Sequence, residues 1–268
     1  EVQSCYKKAL ESQLNAQEAV ALCRGVFSSA ETMRCFNGVK GKLPASESFQ
    51  LCRGSLGAEE TLRCFEGAKR SGLGNVDLAL LCRATPAAAQ TLSCLDQAKQ
   101  LSLSGTDSIF LCQASGVAAQ NLDCFSWARA AGLSPVDAVA LCRTTASSNE
   151  TLGCFGKASR KPGFANVDAV ALCRATSASE QTLGCFDEAS IKIGLVKVDA
   201  ISLCRAAFSS AETLRCFDRA RAGGLGNADS AALCRAALSS AETLRCLDHA
   251  KNVGLGNGDA VGLCRATP

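Results

Sequence analysis

The sequence predicts an all-α protein, an α-solenoid of nine antiparallel helical hairpins, each about 30 residues long and braced by a disulfide. Three observations predict it. One pattern runs the length of the chain, clearest in Leu233-Cys234-Arg235-Ala236-Ala237-Leu238-Ser239-Ser240-Ala241-Glu242-Thr243-Leu244-Arg245-Cys246. Apolar residues inside each copy follow helical spacing, as in Leu214, Phe217, Ala220 or Leu244, Leu247, Ala250. Cysteine, with 18 copies, recurs at matching places in every repeat. The repeats are expected near 1–27, 28–56, 57–86, 87–116, 117–146, 147–177, 178–208, 209–238 and 239–268, as one array.

Each repeat begins with a helix A, which carries Cys5, Cys35, Cys64, Cys94, Cys124, Cys154, Cys185, Cys216 or Cys246. A Ser-x-x-Glu capping box opens it at Ser28/Glu31, Ser147/Glu150, Ser177/Glu180, Ser209/Glu212 and Ser239/Glu242. In such a box the serine caps a backbone N–H and the glutamate reaches back to the cap residue. One turn past the cysteine stands alanine, with Val39 the exception, so that two helices can approach. A turn follows, Gly-Leu-Gly-Asn at 72–75, 224–227 and 254–257. Its glycine ends the helix in a left-handed conformation. Its apolar residue (Leu73, Leu133, Leu225, Leu255, or Phe164) is expected to fold back on the core. Copies differ in length here, so this is the tolerant loop.

Helix B starts near Asn75, Ser104, Ser134, Asn166, Asn227 or Asn257, and Pro135 suits a first helical turn. It carries Cys23, Cys52, Cys82, Cys112, Cys142, Cys173, Cys204, Cys234 or Cys264. An acid precedes each of these cysteines: Glu18, Glu47, Asp77, Asp107, Asp137, Asp168, Asp199, Asp229, Asp259. Arginine follows each, except at Gln113. Acid at the start and cation at the end both complement the helix dipole. The arginine ladder is read as dipole complement plus pairing with acids of neighbouring repeats; the sharper alternative is a grip on an anionic polymer.

Two disulfide schemes are open, within the hairpin (Cys64 with Cys82) or across the short turn (Cys82 with Cys94). Helical rise puts the sulfurs at similar heights in both. Pairing within the hairpin is favoured because it leaves no cysteine of the chain unpaired. Disulfides at this density point to an oxidising compartment, extracellular or at the cell surface. Asn149-Glu150-Thr151 is a glycosylation sequon that fits that setting.

The remaining chemistry is sparse. No C-x-x-C knuckle exists, so neither metal nor other cofactor is expected. One histidine, His249, cannot build a catalytic triad, and an enzyme is not expected. Charges nearly balance, 28 Lys+Arg against 25 Asp+Glu, which is no nucleic-acid footprint. No apolar run is long enough for membrane insertion. The last repeat reads like an interior copy, and an uncovered repeat end that meets another in a head-to-tail contact makes a filament. The leading expectation is therefore a structural protein that self-associates end to end into a homopolymer, an appendage or a matrix. The second is an adhesion module that binds a surface or matrix partner through a concave face, near Trp127, Lys7, Lys8 and residues 100–117, including Gln100 and Gln113. Trp127 is otherwise expected in the core.

Overall fold

The computed structural model describes residues 1–113, 118–143 and 145–265. It is all-α. The A helices are α1 (Val2–Glu11), α3 (Ser29–Val39), α5 (Ala58–Ala68), α7 (Ala88–Gln100), α9 (Ala118–Ala130), α11 (Ser148–Ala158), α13 (Ser179–Asp187), α15 (Ser210–Ala222) and α17 (Ser240–Asn252). The B helices are α2 (Ala16–Cys23), α4 (Ala45–Cys52), α6 (Asn75–Cys82), α8 (Gly105–Cys112), α10 (Pro135–Cys142), α12 (Asn166–Cys173), α14 (Lys197–Cys204), α16 (Asn227–Cys234) and α18 (Asn257–Cys264). The chain forms two compact units, Glu1–Leu122 and Asp123–Pro268. Inside each, an A helix packs on its own B helix and on the next A helix, and B helices pack on one another, as in α12, α14, α16 and α18.

Every disulfide lies within a hairpin: Cys5–Cys23, Cys35–Cys52, Cys64–Cys82, Cys94–Cys112, Cys124–Cys142, Cys154–Cys173, Cys185–Cys204, Cys216–Cys234 and Cys246–Cys264. Helices of eight residues, such as α6, are too short to persist alone in water. Two things hold them. Each sulfur bridge restrains the unfolded chain, worth about 3 kcal/mol for a loop of this size. Burial does the rest: the leucine before each B cysteine is fully buried, Leu51, Leu81, Leu141 and Leu172 among them. Each such side chain contributes about 1.5–3 kcal/mol. The alanines after the A cysteines, Ala9, Ala68, Ala98 and Ala158, have no exposed surface, so any larger side chain there would force the helices apart.

The turn from A to B is a Schellman cap in several copies. The Leu225 N–H donates to the Ala220 carbonyl at 3.2 Å and the Gly224 N–H to Arg221 at 2.9 Å, with Gly224 at φ +86°. The same bonds recur at Leu133 and Leu255. Leu133 and Leu225 are buried as the sequence predicts, whereas Leu73, Leu255 and Phe164 are only half-buried.

The turn from B to A is different and was not foreseen. The arginine after each B cysteine has left the helix. Arg205 sits at φ −57°, ψ 124°, Ala206 follows at φ +58°, and the Ala207 N–H donates to the Cys204 carbonyl at 3.1 Å. Those are the marks of a type II turn, whose third residue must be left-handed. Gly25 and Gly54 meet that demand easily; Ala84, Ala175, Ala206 and Ala236 adopt it against their steric preference. Just past this turn a buried hydroxyl pair closes the connection: Ser55 with Thr61 at 3.1 Å, Thr85 with Thr91 at 2.5 Å, Thr145 with Thr151 and Thr176 with Thr182 both at 2.7 Å. Where the first partner is Val26 or Ala207, the Thr32 and Thr213 hydroxyls are buried without a partner.

Candidate functional site

The junction between repeats is built from the capping sequence. Ser28, Ser147, Ser209 and Ser239 each accept from the backbone N–H three residues on, so half of the expected box is present. The other half differs. The glutamate reaches forward, onto the N–H that opens the next A helix. In the first unit Glu1 accepts from the Ser29 N–H at 2.6 Å, Glu31 from Ala58 at 2.8 Å and Glu60 from Ala88 at 2.8 Å. In the second, Glu150 accepts from Ser179 at 2.7 Å, Gln181 from Ser210 at 3.0 Å and Glu212 from Ser240 at 3.0 Å. The physical reason is register: successive A helices stack with their first turns level, so the carboxylate finds a neighbour's unpaired N–H within reach. These amide bonds hold the carboxyls of Glu1, Glu150 and Glu212 below the usual carboxylate range. The box expected at Ser177/Glu180 is not formed. Ala178 caps α13, so the junction position falls to Gln181, while Glu180 pairs with Lys157.

B helices keep their acids local. Ser104 and Ser134 accept from the Asp107 and Asp137 N–H groups, and Asn15 with Glu18 completes a full box. Asp168 accepts from the Ala165 N–H at 3.1 Å and from Lys197 at 2.6 Å; chiefly through that lysine its carboxyl is held low. The expected pairing of ladder arginines with acids is therefore not made at five of the ladder positions. Among the described residues Arg24, Arg53, Arg174, Arg205 and Arg235 enter no ion pair. These arginines are half-buried.

The separate residues singled out from sequence do not come together. Lys7, Lys8, Gln100 and His249 are exposed on A helices. Trp127 is not in the core: it is 68 % exposed on α9, whereas Cys124 and Ala128 on the same helix are fully buried. Gln113 is no surface residue either. It occupies an arginine position, 6 % exposed, with its Nε2 unpaired. Of the expected 100–117 region, residues 114–117 lie outside the described residues. Asn149 is exposed in the first turn of α11. Among the described residues no cluster of His, Cys, Asp and Glu is placed to hold a metal ion, and no helix is long and apolar enough to cross a membrane. Compared with known proteins, the chain matches no family model and no curated protein sequence.

Proposed function

We propose that this chain is a structural repeat protein of an oxidising, extracellular setting, extended by end-to-end stacking of its own repeats. One observation carries the reading: the same side-chain-to-amide bond, from a carboxylate at five described junctions and from Gln181 at a sixth, joins repeat to repeat. A junction made by recurring residues is one that a second copy can make as well. Glu242, whose carboxylate pairs with Arg245 on its own helix, stands where Glu212 stands at the preceding junction, and α1 opens with the N–H of Val2. Stacking α17 of one copy on α1 of another would offer that carboxylate to the N–H groups of the first turn of α1. The nine sulfur bridges support durability outside the cell.

Sedimentation velocity and negative-stain microscopy over rising protein concentration test this. Linear species that lengthen with concentration are expected, with Glu242→Lys shortening them and reductant dispersing them. Monomers throughout, or species insensitive to Glu242→Lys, would refute end-to-end stacking.

A further inference from the structure

Arg174 and Arg205 of the arginine ladder enter no ion pair among the described residues, and the placement of the ladder is systematic. Each ladder arginine stands immediately after an eight-residue B helix, and α10, α12, α14, α16 and α18 pack side by side in the second unit. Their ends, and so Arg143, Arg174, Arg205, Arg235 and Arg265, form one row. The turns are stacked closely enough that, in the first unit, a Cβ on Gly54 would lie 3.1 Å from the Gly25 carbonyl oxygen. We propose that this row, centred on Arg174 and Arg205, binds the sulfate or phosphate groups of a flexible polyanion.

Three features carry the assignment. First, carboxylates of these repeats are engaged elsewhere: Asp168 holds a helix start and Lys197, and Glu150 and Glu212 hold the junctions. Second, neither Arg174 nor Arg205 donates a side-chain hydrogen bond or enters an ion pair among the described residues, which leaves the donors of two planar forks open. Third, the row repels itself. The Arg174 guanidinium is pushed down to about 9, first by burial and then by Arg205, Arg143 and Arg265. Arg205 is lowered by burial and by Arg265 and Arg143. Charge gathered at Arg174 and Arg205 against its own repulsion is relieved by a multivalent anion. Guanidinium forks match the oxygens of tetrahedral oxyanions in bidentate fashion. The A-helix arginines give the contrast: Arg34, Arg63, Arg215 and Arg245 are each satisfied by a glutamate one turn away.

The test is titration calorimetry of the whole chain at low salt, at protein concentrations where sedimentation shows monomer, with a sulfated hexasaccharide and separately with inorganic tripolyphosphate. Binding is expected, weakening with added salt. Arg174→Gln with Arg205→Gln is expected to lower affinity about tenfold or more, whereas Arg215→Gln with Arg245→Gln changes it less than about twofold. The melting temperature of the first double variant without ligand is expected to equal or exceed that of the parent, so that lost binding is not lost folding. Preference for the hexasaccharide assigns a sulfated glycan; preference for tripolyphosphate assigns a phosphate polymer. Equal weakening by both double variants would reduce the effect to diffuse charge and overturn the site, as would absence of heat with either probe. Neither result bears on end-to-end stacking.

Discussion

The two turns of each hairpin solve the same problem, reversing the chain between helices, by opposite means. From A to B the left-handed residue is usually glycine, the loop length varies, and the surroundings are open: a Cβ at Gly224 would meet nothing within 4 Å. From B to A the left-handed residue is alanine in four described copies, and the chain re-enters the core at once through a buried hydroxyl. The first turn is closed by the backbone, with exposed or part-buried side chains such as Ser71 and Arg129 adding to it in single copies. The second is closed by the backbone and a side-chain pair, which ties it to the helix that follows.

That difference can be broken most sharply at the hydroxyl pair. Thr61→Val leaves the buried Ser55 hydroxyl without its partner and is expected to destabilise by about 1–3 kcal/mol. Thr213→Val, which removes a hydroxyl already unpaired, is expected to be neutral or slightly stabilising. Urea midpoints of the two variants, with disulfides intact, decide it. A similar loss at both sites would show that the threonine acts through packing alone. A smaller, opposite pair of effects is expected at the left-handed residues. Ala206→Gly should stabilise by roughly 1 kcal/mol, and Gly224→Ala should destabilise by a like amount. Thermal melts that move in the same direction would refute the steric reading of the B-to-A turn.

The smallest expected effect concerns pH and the A-helix start that the B-to-A turn delivers. Glu150 and Glu212 have carboxyls held low mainly by the Ser179 and Ser240 amides. A depressed folded value means the contribution is full above the ordinary carboxylate range and fades as pH falls through the folded value. The parent should therefore lose stability on acidification, and Glu150→Gln with Glu212→Gln should flatten that acid limb while leaving neutral stability little changed. Gln181 already makes the neutral version of the bond. Denaturation midpoints followed from neutral pH into the acid range check the slope.

Much of this architecture is legible in the sequence because helical spacing and cysteine spacing are local signals. Leu214, Phe217 and Ala220 mark a helix face without help from the rest of the chain, and Gly224 announces its own turn. What is not legible depends on a neighbour. Glu212 reads as half of a capping box because Ser209 is three residues away; only stacking of α15 on α17 offers it the Ser240 amide instead. Ala206 gives no hint of a left-handed backbone, since alanine is the commonest helix former. The arginine ladder nearly matches the acid ladder in number, eight to nine, yet Asp107 and Asp137 are bound at the opposite end of the B helix. Size and polarity suggest a buried Trp127 and an exposed Gln113, but the place of each in its repeat decides otherwise: Trp127 is 68 % exposed on α9, and Gln113, where α8 gives way to the B-to-A turn, is 6 % exposed.

Each sulfur bridge joins a cysteine to the very next cysteine along the chain. Eighteen thiols allow a vast number of mismatched partners in principle. A polypeptide entering an oxidising space from its amino end exposes them two at a time in the correct order. Each hairpin can be sealed before the following pair arrives, so the sorting problem that burdens other cysteine-rich proteins is solved by sequence order, with little left for an isomerase to repair.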